Sequence, residues 1–409
     1  MNQQTSSRMF FLDWIRIGAF FLLILYHTGM YYVSWDFHIK SVDAGSAIEP
    51  LMMLSSPWRL SLLFPVSGVA SSFMLRKMPL ARFIGQRSWR LLIPLVFGML
   101  VIVPPQSYCE VVEKLGYQGS FVDFMKLYLT GYHGFCGKDG NCLILPTWNH
   151  LWFVSYLWVY TLVLAAGVAL LGHRFDALAG RLGALLTGWK IIVLPVALFA
   201  VLRLTLFARF PSTHALVGDW YNHANYFAIF AMGALMAREP GFWARLDTLR
   251  RPALAITIAS WAALIVYFRL ADTIMTDDVV AVARPIMRVV YALCAWCAIV
   301  AVCGFGHRHL QFDNAQRRYL TQAVFPVYMV HQTLIILLAH SFKPLHIAAP
   351  LEGGLIVVLT FALSFAVVEI VRRTHVLALL FGAANTLLPQ SAARSANSIT
   401  SAPMASAKS

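Results

Sequence analysis

Charge is scarce in this chain. Asp, Glu, Lys and Arg make up 12% of its 409 residues, and acids are the scarcer half, 18 against 32 Lys and Arg. Soluble domains carry about a quarter charged residues. So little charge, with 59% hydrophobic residues and a mean hydropathy of +0.68, excludes an ordinary soluble protein. Asp and Glu form no cluster with metal-ligand spacing, and HExxH and GxSxG are both missing, so neither a metal-dependent hydrolase nor a serine-hydrolase elbow is expected. GxxxxGK[ST] and the dinucleotide fingerprint are missing too, which leaves nucleotide hydrolysis without a motif. The net charge of +14 would point to nucleic acid in a soluble protein. Here an excess of Lys and Arg in loops on one side of a membrane accounts for it, and no nucleic-acid partner is expected.

What the chain has instead is long apolar runs. About ten are of spanning character: 10–32, 51–74, 91–108, 150–171, 190–207, 223–237, 252–270, 284–304, 320–340 and 353–371. The first is too long for a cleavable signal and lacks a small-residue cleavage site after it, so it reads as a permanent span. With an inside N-terminus, alternate loops collect Arg76, Lys77, Arg82, Arg87 and Arg90, then Arg174 and Arg181, then Arg238, Arg245, Arg250 and Arg251, then Arg308, Arg317 and Arg318, and finally Arg372 and Arg373. The other loops hold fewer: Lys40, Lys114, Lys126, Lys138, Arg209 and Lys343. This asymmetry predicts an all-α, polytopic transmembrane bundle in the cell (inner) membrane, with both termini cytosolic. Residues 1–382 form the membrane domain, and 383–409 a cytosolic tail, Ser/Ala-rich from Ala392 and expected to be disordered. No transporter-type internal repeat is visible. The largest outside loop, Ser107–Asn149, is placed to cover an outer mouth of the bundle.

Six cysteines divide by position. Cys136 and Cys142 flank GKDGN in the outer loop, with Cys109 nearby; an oxidising compartment permits a Cys136–Cys142 bridge, and free thiols in a mobile loop are the alternative. Cys294, Cys297 and Cys303 lie in an apolar span and read as small packing residues, despite the CxxC spacing.

Polar residues inside apolar runs carry the functional signal, because burying them in a membrane is expensive. The first run, FFLDWIRIGAFFLLILYHTGMYYV, holds Asp13, Arg16 and His27. At about 100° per residue, these three return to nearly one face, with Arg16 and His27 about 16 Å apart along it. A neutral imidazole at His27 has the chemistry of a general base for a hydroxyl; bridging two helices is the structural alternative. Arg16 has the charge to hold an anion, or Asp13 simply neutralises it. Arg82, Arg87 and Arg90 in RFIGQRSWRLLIPL either set topology or bind a phosphate-bearing cytosolic ligand such as coenzyme A, since Arg binds phosphate bidentately. Arg59, Arg203, Arg288, His150 and His331 are further embedded or border polar residues. His150 sits among Trp148 and Trp152, as an interfacial anchor also would. His331 lies well inside a span beside Tyr328 and Gln332.

These segments resemble the acyltransferase-3 family of integral-membrane O-acyltransferases. FLDWIR followed by Arg16-x10-His27 is similar to the family's opening motif, PWRLSLLFPVSG to its second helix and RSWRLLIP to its inner arginine motif. NHLWFVSYL, GFGHRHLQF, FPVYMVHQTLI and VVEIVRRTHVLALLFG are similar, in the same order, to the glucan biosynthesis protein C branch. The resemblance covers about residues 8–382. It implies a ten- or eleven-span bundle that takes an acyl group from cytosolic acyl-CoA, with no metal, and passes it to a hydroxyl, usually on an outward-facing carbohydrate. In the glucan branch it implies succinyl transfer to periplasmic glucans. Carried over by position, Arg16 and His27 fall in the transfer centre and Arg87 and Arg90 in donor handling; His150 and His331 match branch signatures without an assigned role. The Cys136–Cys142 segment departs from the branch, which leaves the acceptor open. No fused extracytosolic hydrolase-like domain is recognisable, so a second transfer step is expected to need a separate glycan-synthesis partner.

The expected activity is therefore transfer of an acetyl or succinyl group from acyl-CoA to a carbohydrate hydroxyl. A succinyl pocket wants an added cation, which Arg59, Arg203 or Arg288 would supply. Two other readings use the same residues: a transporter or flippase of an anionic or glycosidic compound, and a membrane scaffold for glycan-synthesis partners.

Overall fold

The computed structural model describes residues 9–137 and 140–383. Most of the expected tail, 384–409, lies outside the described residues. Within them the chain is helical, with no β-strand. The helices are α1 (Phe10–Tyr32), α2 (Glu49–Ser55), α3 (Leu63–Leu75), α4 (Leu80–Phe97), α5 (Pro104–Leu115), α6 (Phe121–Leu129), α7 (Trp152–Leu171), α8 (His173–Leu185), α9 (Lys190–Thr205), α10 (Trp220–Met236), α11 (Pro240–Ala271), α12 (Asp277–His309), α13 (Ala315–Phe342), α14 (Ala349–Arg373) and α15 (His375–Leu380).

The all-α membrane bundle is as expected. The count of about ten spans is not reproduced: among the described residues, seven helices are long and apolar enough to cross a membrane, or eight if α8 and α9, bent by 110°, form one broken span. The other two expected positions hold shorter helices. One is α3, because the chain from Ser56 to Leu62 turns irregularly and cuts the expected 51–74 span in two; the other is α10. α4 and α5 run on as one long span, Leu80–Leu115, with a wide turn inside it. Pro94 lies in α4, a wide turn runs over Gly98–Ile102, and Pro104 opens α5; such wide turns often mark functional sites.

Helix–helix association in lipid depends on close packing, since lipid is as apolar as the helices. α3 and α10 show this directly. A Cβ on Gly68 would clash with the Phe230 carbonyl, and one on Gly233 with the backbone of Pro65. α11 pairs with α12, and α13 packs between α1 and α14.

The ends of the bundle differ in charge. At one end Arg317 of α13 pairs with Asp13 of α1 and, at 2.8 Å, with Asp313. Arg372 at the end of α14 stacks on Tyr319 of α13. The start of α1 meets the end of α12 through Phe11 and His307, and there Arg250 and Arg308 both face Asp247. The Arg317 hydrogen bond holds the Asp313 carboxyl, in the loop before α13, below its usual range. At the other end Lys40 donates to the Met30 and Val33 carbonyls (2.7 and 2.5 Å), closing α1 in the way a cation suits a helix C-terminus. Burial lowers that ammonium's pKa. The long loop at this end folds around α6, with Phe124, Tyr128 and Phe135 in its own small core. Its Cys136 and Cys142 are disulfide-bonded; Cys109, Cys294, Cys297 and Cys303 are free and buried.

Candidate functional site

Three of the sequence-singled histidines meet. His27 lies five residues before the end of α1, His331 midway along α13, and His150 in the turn that starts α7. His27 Nδ1 is 2.9 Å from His331 Nε2. The His150 and His331 rings meet edge to face with centroids 5.1 Å apart. His331 and His150 are buried, and His27 is partly exposed.

The partners fix the protons. His331 Nδ1 faces the Tyr328 carbonyl at 2.6 Å. A carbonyl only accepts, so this nitrogen carries the hydrogen and, in the neutral ring, Nε2 is an acceptor. His27 Nδ1 must then donate to it, and the lone pair of His27 lies on Nε2. His150 follows the same logic. Its Nε2 donates to the Met329 carbonyl (3.1 Å), and Tyr328 hydroxyl donates to the His150 carbonyl (2.5 Å). His27 is thus a neutral imidazole with an oriented ring and a basic Nε2.

An amide network surrounds the centre. Gln106, fully buried at the start of α5, donates to Thr333 (2.6 Å) and, more weakly, to His150 Nδ1 (3.4 Å). Its Oε1 accepts from Gln332 (3.0 Å) and Asn149 (3.1 Å). Gln332 also donates to His38 Nε2 (3.0 Å), so His38 donates from Nδ1 to Glu110 (2.6 Å). His38, Gln106 and Glu110 are absent from the sequence reading. Gln106 had a visible signal, a lone amide in an apolar run. His38 sits in a loop and Glu110 in what reads as a polar outer segment, so only the fold joins them.

The arginines fall in different places. Arg59, in the irregular turn before α3, is 8% exposed; it stacks on the Tyr26 ring at 3.1 Å and donates to the Ser56 carbonyl. It is close enough to His27 to interact electrostatically, and no carboxylate pairs with it among the described residues. Arg16 does not join His27. It lies about 16 Å away along α1, facing Asp13 (3.8 Å) and the Thr321 carbonyl (3.3 Å), while Asp13 also binds Arg317. The stripe has the separation expected of it, with Arg16 and His27 in different layers of the bundle. Arg87 donates to Thr161 (3.3 Å), and Arg90 lies near enough for the two guanidiniums to repel. No carboxylate pairs with either among the described residues. Arg203 stacks on Tyr291 (3.6 Å) and donates to Tyr221, and Arg288 lies over Phe207. The described residues contain no group of three or more His, Cys, Asp or Glu side chains that would hold a metal ion.

A multi-pass bundle with an orientated, half-buried imidazole in its polar interior suits a membrane-embedded transferase. The chain belongs to the acyltransferase-3 family, whose model, described as an Acyltransferase domain, matches residues 9–369; it is a membrane acyltransferase. It is similar to Glucans biosynthesis protein C of Escherichia coli (strain K12), 25% identical over 393 residues that cover 93% of this chain and 96% of that protein. The same protein of Escherichia coli O9:H4 (strain HS) aligns with the same identity and coverage. No solved structure matches the chain.

Proposed function

We propose that the protein moves an acyl group, acetyl or succinyl, from cytosolic acyl-CoA to a hydroxyl of an extracytoplasmic carbohydrate such as a periplasmic glucan. It would sit in the inner membrane with both termini cytosolic. The observation that carries the reading is the basic Nε2 of His27, set by the His331–Tyr328 chain. His27 takes the hydroxyl proton as the oxygen attacks the thioester carbonyl. The C–S bond breaks, and the proton returns to the departing thiolate. An oxyanion or a succinyl carboxylate beside this centre needs a cation. Arg59 suits that role better than Arg16, because it lies at the histidine layer and lacks a carboxylate partner.

Donor binding is supported by Arg87 and Arg90. They stand without carboxylates, one turn apart, on α4, which begins at the arginine-rich end. Gly98, eleven residues beyond Arg87, is at the level of Leu151 and Met329, next to the histidines. The separation is about 16 Å, which an extended pantetheine arm between phosphates and thioester spans.

The test uses purified protein in proteoliposomes with acetyl-CoA or succinyl-CoA on the arginine-rich side. Release of free coenzyme A is followed with and without a crude envelope glycan extract. Release that rises with extract and is lost in His27→Ala is the expected result. Unchanged transfer in a folded, inserted His27→Ala protein would sink the mechanism.

A further inference from the structure

The face opposite the arginine-rich end carries two large clefts. One, about 700 Å³, is lined by Trp35, Glu49, Arg269 and Asp272. Its wall reaches Ser56, which accepts from the Tyr26 hydroxyl at 3.4 Å beside His27, but among the described residues no hydrogen-bond chain runs on from there to a histidine. Its Glu49 accepts from the Ser34 amide at 3.1 Å, a local bond that leads no further inward.

The other cleft, about 870 Å³, lies between α5 and the disulfide-closed loop. Tyr117, Tyr132 and Phe135 give it aromatic faces, and Asp36, Glu110 and Lys114 give it polar edges. Its carboxylate Glu110 leads inward. Glu110 accepts from His38, His38 accepts from Gln332, and Gln332 follows His331 in the chain. Two hydrogen bonds thus link the cleft to the residue beside His331, and Gln332 joins the Gln106–His150 network as well. A rigid polar line of this kind positions a ligand against the transfer centre.

We propose that this cleft is the acceptor site, and that its ligand is a polyhydroxylated carbohydrate. Sugar rings present C–H faces to aromatic rings and hydroxyls to carboxylates and ammonium groups, and the cleft supplies both. Its volume is in the range of ligand sites. Lys114 pairs with Asp36 (2.9 Å) and Glu110 (3.1 Å), which holds this charged edge in place along the cleft. The assignment rests on the acyltransfer reading and specifies where the acceptor lies. Glu110 and His38 are positioning residues in it, acting through Gln332.

Acceptor kinetics with the envelope glycan extract test it. Tyr132→Ala and Asp36→Asn, both at the exposed rim, are expected to raise the acceptor KM about tenfold with kcat within about twofold, the loss of one or two contacts each. Asp272→Asn in the other cleft should keep the wild-type acceptor KM. Binding of the extract's oligosaccharides, followed by calorimetry without any acyl donor, should weaken by the same factor in Tyr132→Ala. Wild-type acceptor KM and binding in both rim variants overturn the cleft assignment, as does a KM that rises only in Asp272→Asn. Oligosaccharide binding that depends on Tyr132, in a protein that releases no coenzyme A from any donor, overturns the acyltransfer reading but not the cleft.

Discussion

At the residue scale the chemistry depends on which nitrogen carries a proton. His331 makes His27 a base by accepting its Nδ1–H, and it accepts because the Tyr328 carbonyl holds its own hydrogen on the far side. A His331→Leu protein keeps the packing volume but not the acceptor. We expect kcat to fall about a hundredfold, the scale of a lost acid–base contribution, with a much smaller change in donor KM. Protonation of Nε2 removes the base, so the wild-type rate should fall on acidification and level off as pH rises. A pH–rate profile checks the sign. Arg59 makes a separate prediction. Replacing it by Met should cost succinyl transfer about tenfold or more relative to acetyl transfer, since only the succinyl group brings a carboxylate to pair with it. Equal loss with both donors would assign Arg59 to the oxyanion instead. His27, His150, His331 and Arg59 were legible in the sequence because each is polar inside or beside an apolar run. His38, Gln106 and Glu110 were not, since their meeting depends on how a loop packs on a helix re-aimed by a wide turn. Arg16 keeps the separation of about 16 Å from His27 that helical rise gives, and it was the family resemblance that assigned both to the transfer centre.

At the element scale the bundle is set by where helices break and where they touch. Apolar length located each helix, but not the wide turn inside the α4–α5 span or the split between α2 and α3. Those follow from Pro94, Pro104 and the Ser56–Leu62 turn, whose geometry hydropathy does not encode. The breaks place Gln106 and Arg59 beside the histidines, so irregular backbone here serves the site. The α3–α10 contact is governed by Gly68 and Gly233. Gly233→Val should destabilise by about 1–3 kcal/mol, the range for overpacking, and lower the thermal midpoint in detergent. The same substitution at Gly167, where a Cβ would meet nothing, should leave the midpoint near wild type.

At the scale of the whole molecule, charge and chemistry are separated along the bundle axis. Arginines gather at one end, the histidines lie toward the other, and the disulfide-closed loop covers part of that second end. The alternation of Lys and Arg along the sequence anticipated this polarity, because positive residues resist translocation. In a cysteine-free background, Lys126→Cys should react with an impermeant maleimide in intact cells, and Arg181→Cys only after permeabilisation. The reverse pattern would invert the orientation and remove cytosolic acyl-CoA as donor. The number of separate spans was less legible, as short helices such as α3 and α10 are held by neighbours rather than by their own length.

The central claim is that a group crosses from a donor at the arginine-rich end to a hydroxyl at the other end through His27. The most direct measurement supplies acyl-labelled acyl-CoA only on the arginine-rich side of proteoliposomes and glycan only on the opposite side. The account predicts label on the glycan, matched by free coenzyme A, and neither in His27→Ala. Glycan that crosses the membrane unlabelled, without release of coenzyme A, would contradict it and describe a transporter.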